Sequence, residues 1–241
     1  MISVRDIYKS YSSAGKGRAG SEVEVLKGVS FDIYPSRVTT IVGPSGAGKS
    51  TLLNVLGTLE RPDRGGVNYD GEDVFALSER ALSRFRNAHI GFVFQSHRLL
   101  PEFSIEENVA MPALIAGVGR HESMERARKL LEELGLGGRL AHRPAELSGG
   151  ECQRAAVARA LVNEPGIVLA DEPTGSLDSA NRHELYEIFF GLRDRRRTTF
   201  VIVTHDDALA AGSDRVIRLV DGRIVDDSAA AAIEGTVAAG E

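Results

Sequence analysis

One short stretch of this chain carries glycines, a lysine and hydroxyl residues at the spacing that anion chemistry needs: Gly43-Pro44-Ser45-Gly46-Ala47-Gly48-Lys49-Ser50-Thr51. The apolar, β-branched run Val38-Thr39-Thr40-Ile41-Val42 precedes it and predicts a buried strand, and Leu52-Leu53-Asn54-Val55-Leu56 follows as a helix. Between such elements Gly43, Gly46 and Gly48 let the backbone bend so that successive N–H groups point inward, ahead of the positive end of the helix. A polyphosphate fits that loop. Lys49 then reaches the β and γ phosphates, and the Ser50 hydroxyl completes the shell of a magnesium ion.

Other polar groups stand at the ends of apolar strands. Ile90-Gly91-Phe92-Val93-Phe94 ends on Gln95, Ile167-Val168-Leu169-Ala170 ends on Asp171-Glu172, and residues 198–204 end on His205-Asp206. In an open parallel sheet, ligands bind beyond the carboxyl ends of the strands, so this convergence points to one ligand. After a phosphate loop, the first acid at a strand end holds magnesium and the second takes a proton from an attacking water. A second anion site is suggested by Leu147-Ser148-Gly149-Gly150-Glu151, where a serine and glycines open a helix with capping-box spacing. By itself that motif also fits any well-capped helix.

The elements that must hold these groups follow an α/β order. Residues 2–8 and 22–34 predict strands around a flexible hairpin tip at 12–21, with Tyr11 at its edge either stacking on a base or packing as a strand aromatic. Residues 67–69 and 73–75 predict short strands around Asp70-Gly71, and Ser78 caps a helix through about 85. Ser104-Ile105-Glu106-Glu107 is a capping box opening a helix that carries Val109, Ala110 and Leu114, and Gly117 and Gly119 break it. Residues 122–134 form an amphipathic helix with Met124, Ala127, Leu130, Leu131 and Leu134 on one face, and helices are expected at 152–162 and 181–193. The Arg193-Asp194-Arg195-Arg196-Arg197 run is read as cations complementing a helix C-terminus. Asp221-Gly222 signals a type I′ hairpin, and the alanine-rich tail from 227 to 241 is expected to fray.

Bulk properties narrow the class. With 241 residues the chain suits one α/β domain with insertions, and its net charge of −5 and pI near 5.8 give no cationic field for nucleic acid. One cysteine, Cys152, excludes an intrachain disulfide framework, and the 6 histidines never group with it at metal-ligand spacing. The opening Met1-Ile2-Ser3-Val4-Arg5-Asp6 lacks the order of a signal peptide, and no apolar run approaches the ~18 residues that span a bilayer. The expectation is a soluble chain.

Taken together and in order, these motifs resemble the ATP-binding subunit of ABC transporters over residues 1–226. Gly43 to Ser50 is similar to the Walker A loop, Gln95 to the Q-loop, 147–151 to the family signature, 167–171 to Walker B, Glu172 to the catalytic glutamate, 176–178 to the D-loop and His205 to the switch histidine. Tyr11 matches the aromatic that stacks on adenine. The runs Phe92-Val93-Phe94-Gln95, Leu99-Leu100-Pro101-Glu102-Phe103, Glu107-Asn108-Val109-Ala110-Met111-Pro112 and Ala170-Asp171-Glu172-Pro173-Thr174-Gly175 look most like the lipoprotein-releasing (LolD-type) and macrolide-exporter groups. Cys152 stands where the family usually has arginine or glutamine, and Ser36-Arg37 replaces a usual Gly-Glu turn. A thiol at a helix N-terminus either has a lowered pKa or packs as a small side chain.

The resemblance implies a phosphate-loop NTPase core with an antiparallel β subdomain and an inserted α-helical subdomain at about 96–160. It implies ATP and Mg2+ as cofactors, with Ser50, Gln95 and Asp171 around the metal. The resemblance further implies that Lys49, Gln95, Glu172 and His205 carry catalysis, and that Tyr11, Gly43, Pro44, Ser45, Gly46, Ala47, Gly48, Lys49, Ser50 and Thr51 bind nucleotide, joined by Ser148, Gly149, Gly150 and Asp178. It also implies an ATP-dependent homodimer, peripheral on the cytoplasmic face of the inner membrane, that powers export or extraction through integral membrane subunits. The alternative is a regulatory ATPase of the same family acting on a membrane partner that transports nothing. Leu100 to Phe103, with the start of the next helix near Glu106, is expected to form one wall of the docking groove.

Overall fold

The computed structural model describes residues 1–12 and 22–228, so most of the expected hairpin tip and of the tail lies outside the described residues. The chain divides into two compact units, Met1–Ser78 with the chain from Val203 on, and Glu79–Ile202. It begins with β1 (Ile2–Ser12), β2 (Glu22–Ile33), β3 (Val38–Val42), α1 (Lys49–Leu56), β4 (Arg64–Tyr69) and β5 (Glu72–Asp73). The second unit holds α2 (Glu79–His89), β6 (Ile90–Phe94), α3 (Ile105–Ile115), α4 (Arg120–Glu133), α5 (Gly149–Leu161), β7 (Ile167–Asp171) and α6 (Ser179–Arg196). After β8 (Thr199–Val203), the chain ends its described part with α7 (Asp207–Gly212), β9 (Arg215–Val220) and β10 (Arg223–Asp227).

In the first unit β2, β1, β4 and β5 form an antiparallel sheet in that order, the antiparallel subdomain that the sequence predicts. Its strands alternate where the register is regular: Ile2 and Val4 on β1 and Val29, Phe31 and Ile33 on β2 are buried, and irregularities in the β1–β2 pairing shift the buried positions to Ile7 and Leu26. The hairpin turns at Asp70-Gly71 and Asp221-Gly222 have positive φ at both central residues, 49° and 91°, and 46° and 75°, as a type I′ turn demands. β3, buried along its whole length, pairs in parallel with β9 and so carries the phosphate loop at its carboxyl end.

The second unit is mainly helical. α3, α4 and α5 pack on one another, and α5 also lies against β6 and α6. Ser104 and Ser148 each cap their helix through a complete capping box, as the spacing predicts. α5 buries Cys152, Gln153, residues 155–158, Ala160 and Leu161, so it is enclosed on several sides rather than along one stripe. Phe189 of α6 and Phe200 of β8 meet with ring centroids 5.2 Å apart, both fully buried.

Some boundaries differ from the sequence reading. Val74–Ala76 is a 3-10 helix, because the Asp73 side chain accepts from the Phe75 N–H and turns the chain away from the sheet. Leu114 is exposed, since the buried face of α3 is Ile105, Asn108, Val109, Ala110 and Ala113. Asp227, expected to open the tail, is the last residue of β10: its carboxylate receives the Arg215 guanidinium at 2.8 and 2.5 Å. Ser228 adds bonds to Val216. The arginine run does close α6, and Arg195 and Arg196 also pair with Glu133 of α4, at 3.8 and 2.5 Å.

Candidate functional site

In the first unit the loop after β3 has the geometry of an anion cradle. A Cβ on Gly43 would lie 2.0 Å from the Leu219 carbonyl oxygen, so only glycine lets the loop leave the sheet there. Gly48 is the N-cap of α1 in the left-handed region, φ 98°, and supplies no side-chain cap. The first-turn N–H groups of α1 are thereby left to face a ligand, at the positive end of the helix. Lys49 donates to the Gly43 and Pro44 carbonyl oxygens at 2.9 and 3.1 Å, which holds its ammonium over the loop. Ala47 is buried, whereas Pro44, Ser45, Gly46 and Ser50 are exposed and Thr51 is half-buried.

The same unit positions His205 and Tyr11. The Thr204 N–H donates to the Ile41 carbonyl at 3.2 Å, so the exposed His205 follows β8 beside the strand that feeds the phosphate loop. Tyr11 lies on β1, 40% exposed, with its hydroxyl donating to Glu60 at 2.7 Å. Partial burial, with help from Glu60, pushes that phenol above its ordinary pKa.

In the second unit β6 and β7 run in parallel with Phe94 opposite Asp171, which brings Gln95 level with Glu172 just beyond the strand ends. Glu172 adopts φ 46°, a left-handed conformation that a non-glycine residue pays for and that recurs at chemical sites. Gly175 leaves room for the amide: a Cβ there would lie 2.7 Å from Gln95 Nε2.

Ser148 opens α5, its Oγ accepting from the Glu151 N–H at 3.2 Å while the Glu151 carboxylate receives the Ser148 N–H at 2.8 Å. Arg139 adds a bond at 3.0 Å, and this set of donors, the Ser148 N–H first, holds the Glu151 carboxyl down at about 2. Asp178 caps α6 by accepting from the Asn181 N–H at 2.9 Å and from its amide at 2.7 Å. Gly150 sits against that amide, with Cβ space only 2.2 Å from Asn181 Oδ1, so the signature and the Asp178 turn are joined. Cys152 is buried, and burial raises its thiol pKa, so the packed reading of this residue holds and the activated one does not.

A family model described as ABC transporter matches residues 26–175, which spans the phosphate loop, Gln95, the signature and Glu172. The chain belongs to the ABC transporter family. A curated relative from Bacteroides fragilis (strain YCH46), named lipoprotein-releasing system ATP-binding protein LolD, is 55% identical over 93% of this chain and 100% of its own length. A protein of the same name from Geobacter metallireducens (strain ATCC 53774 / DSM 7210 / GS-15) is 51% identical over 94% of this chain and 99% of its own. Among solved structures, the dimeric ATP-binding cassette MJ0796 in a post-hydrolysis state bound to ADP and Pi superposes with a TM-score of 0.85. It is 35% identical and covers 94% of this chain and 97% of its own.

The fold is therefore that of an ABC ATPase cassette, and the chain is an ATPase of that family. Within the first unit the cradle at Gly43 and Gly48 suits nucleotide phosphates and Ser50 adds a hydroxyl oxygen; within the second, Asp171 and Gln95 offer a carboxylate and an amide oxygen, donors of the kind a hard cation such as magnesium takes. One departure from the ABC pattern has a visible consequence: Ser36, in place of the family's usual glycine, adopts φ 57°. Sequence reasoning passed over Gln153, whose amide bonds the last carbonyl of β6, and Asn108 and Arg159, whose side chains bond the backbone after β6. A polar residue on a buried helix face, such as Asn108 or Gln153, was the available signal.

Proposed function

We propose that this chain is the ATP-hydrolysing subunit of a lipoprotein-releasing transporter, acting as an ATP-dependent homodimer with separate integral membrane subunits at the cytoplasmic face of the inner membrane. The observation that carries this is that each unit presents its own helix N-terminus to an anion, α1 behind Gly48 and α5 behind Ser148. One nucleotide meets both when two copies pair head to tail, residues 43–50 of one copy facing Ser148, Gly149 and Gly150 of the other. The dimeric cassette among the structural relatives and the names of the sequence relatives support the reading.

In the mechanism Tyr11 stacks on the adenine and Thr51, with the loop N–H groups, binds phosphate oxygens. Lys49 exchanges its two carbonyl partners for the β and γ phosphates and offsets charge as the transition state forms. Glu172 orients the attacking water and accepts its proton. His205 holds the γ phosphate, Gln95 follows its presence, and Asp178 shapes the edge of the partner's site. Ser50, Asp171 and Gln95 would hold a magnesium ion, which would supply charge neutralisation at the phosphates. Loss of the γ phosphate removes contacts to the partner's Ser148 loop, and the dimer opens.

Docking is assigned to the segment after Gln95. Leu99 is buried, but Leu100 and Phe103 are 42% and 38% exposed on a short connection ahead of α3. Such side chains on a loop fit an interface anchor. Phe103→Ala should leave hydrolysis by the isolated chain within about twofold and weaken co-purification with the membrane subunits. The test of the whole reading is to isolate the chain from detergent-solubilised membranes, identify the bound membrane protein, and assay ATP-driven lipoprotein release in proteoliposomes. Release supports the proposal; a membrane partner that moves no lipoprotein overturns it in favour of a regulatory ATPase.

A further inference from the structure

We infer that Asn108 and Arg159 are positioning residues that lock the segment 95–103 to α3 and α5, so that force on the exposed Leu100 and Phe103 reaches the signature loop as a rigid-body movement. The inference rests on the docking reading above. It starts from an unusual arginine. Arg159, on α5, donates to the His97 carbonyl at 2.7 Å and to the Arg98 carbonyl at 2.6 Å, and among the described residues it forms no ion pair. Burial lowers its pKa, and the Arg98 charge adds to that. Removing a guanidinium from water without a carboxylate is costly, and two neutral carbonyls repay only part of it.

A surface segment does not need that device merely to satisfy its carbonyls. Arg98 and Leu100 are exposed, and water serves such groups at a surface. What a planar fork adds is geometry: it fixes two consecutive peptide groups at once, here around Arg98, which is itself held at φ 49°. Arg98 in turn lies over the Phe94 ring at 4.0 Å.

Asn108 closes the other end. It is 1% exposed, its Oδ1 accepts from the Leu100 N–H at 2.7 Å, and its amide faces the carbonyls of Leu100, Phe103 and Ser104 at 3.0, 3.2 and 2.9 Å. Gln153, also 1% exposed, donates to the Phe94 carbonyl at 2.9 Å. Two of these three side chains belong to α5, the helix that begins at Ser148. By helix rise, Arg159 lies about 16 Å along the axis from that cap. A helix buried on several sides moves as a unit, so the segment and the signature loop are ends of one lever.

The test uses a nitroxide at Glu102→Cys in a Cys152→Ser background, with Arg159→Met, Arg159→Lys and Asn108→Ala, and the full complex in proteoliposomes. In the isolated chain, Arg159→Met and Asn108→Ala should mobilise the label while basal kcat and KM stay within about twofold. Stimulation of hydrolysis by the membrane subunits should fall at least about fivefold, the lower end of ordinary coupling between sites. Arg159→Lys keeps the charge and one donor set, so it should recover part of both signals; it also carries the test if Arg159→Met does not fold. An immobile label, or stimulation that falls only in step with basal activity and melting temperature, would overturn the inference. Absence of stimulation in the wild-type complex would instead contradict the docking reading, and the label would still decide whether the clamp exists.

Discussion

Gly150 and Asn181 are in contact such that a single added methyl group on the glycine would lie 2.2 Å from the asparagine Oδ1. Asn181 is also the residue through which Asp178 caps α6. The signature glycine and the Asp178 turn therefore meet through the Asn181 side chain.

Gly150→Ala should push the Asn181 amide off Asp178 while the backbone N–H cap stays, and cost about 1 kcal/mol for the lost side-chain hydrogen bond, lowering the melting temperature by a few degrees. ATP-dependent dimerisation should weaken with it. Gly149→Ala meets only Leu177 Cδ2 at 3.8 Å, an ordinary contact, and should melt like the wild type. Thermal denaturation of the two variants side by side checks the difference; equal melting temperatures would contradict the assignment.

Gly175→Ala should act on chemistry rather than on folding. The atom that its Cβ meets at 2.7 Å is the end of the flexible Gln95 side chain, which can swing away at little cost. The expected outcome is a melting temperature near wild type with kcat lowered roughly tenfold or more, since in the proposed mechanism Gln95 is a magnesium and γ-phosphate partner whose displacement costs transition-state stabilisation. Steady-state kinetics with a parallel melt measures both.

The strained turn before β3 offers a gain. Ser36 at φ 57° carries the steric cost of a side chain in the left-handed region, about 1–2 kcal/mol, which glycine avoids in part. Ser36→Gly should raise stability by up to about 1 kcal/mol, read as a higher urea midpoint at unchanged slope. Hydrolysis should not change.

The depressed Glu151 carboxyl sets a pH dependence. Its ordinary value is 4.5 and its folded value about 2, so its contribution is fully present above about 4.5 and is lost as pH falls toward 2. The stability difference between the wild type and Glu151→Gln should be constant from pH 7 down to about 5 and shrink below it. The Glu151 side chain is only 19% exposed, but its Arg139 partner is 49% exposed and solvent screens the pair, so the difference will be modest. Denaturant titrations across that range follow it.

These relationships show why the chain was legible in part. That the phosphate loop, Gln95, Asp171 with Glu172, and His205 stand at strand ends could be read because each is a local event, a run of apolar residues followed by a polar group. The Ser104 and Ser148 caps were legible for the same reason. The Gly150 contact with Asn181 and the grip of Arg159 on residues 97 and 98 join positions far apart in sequence, where no local pattern constrains the partner. Asp227 was misplaced because β10 is held by a charge pair with Arg215 rather than by an apolar alternation. The 3-10 turn at 74–76 arose from an aspartate side chain that competed with the sheet for a backbone N–H.

The central claim is that ATP joins two copies of this chain and that hydrolysis parts them. Sedimentation of Glu172→Gln with and without ATP tests it most directly, because in the proposed mechanism this substitution removes the proton acceptor while Lys49 and the phosphate loop still bind nucleotide. The account predicts a dimer with ATP, a monomer without it, and a monomer in both conditions for Glu172→Gln combined with Lys49→Ala. A Glu172→Gln chain that stays monomeric at saturating ATP, alone and with its membrane subunits, would contradict it.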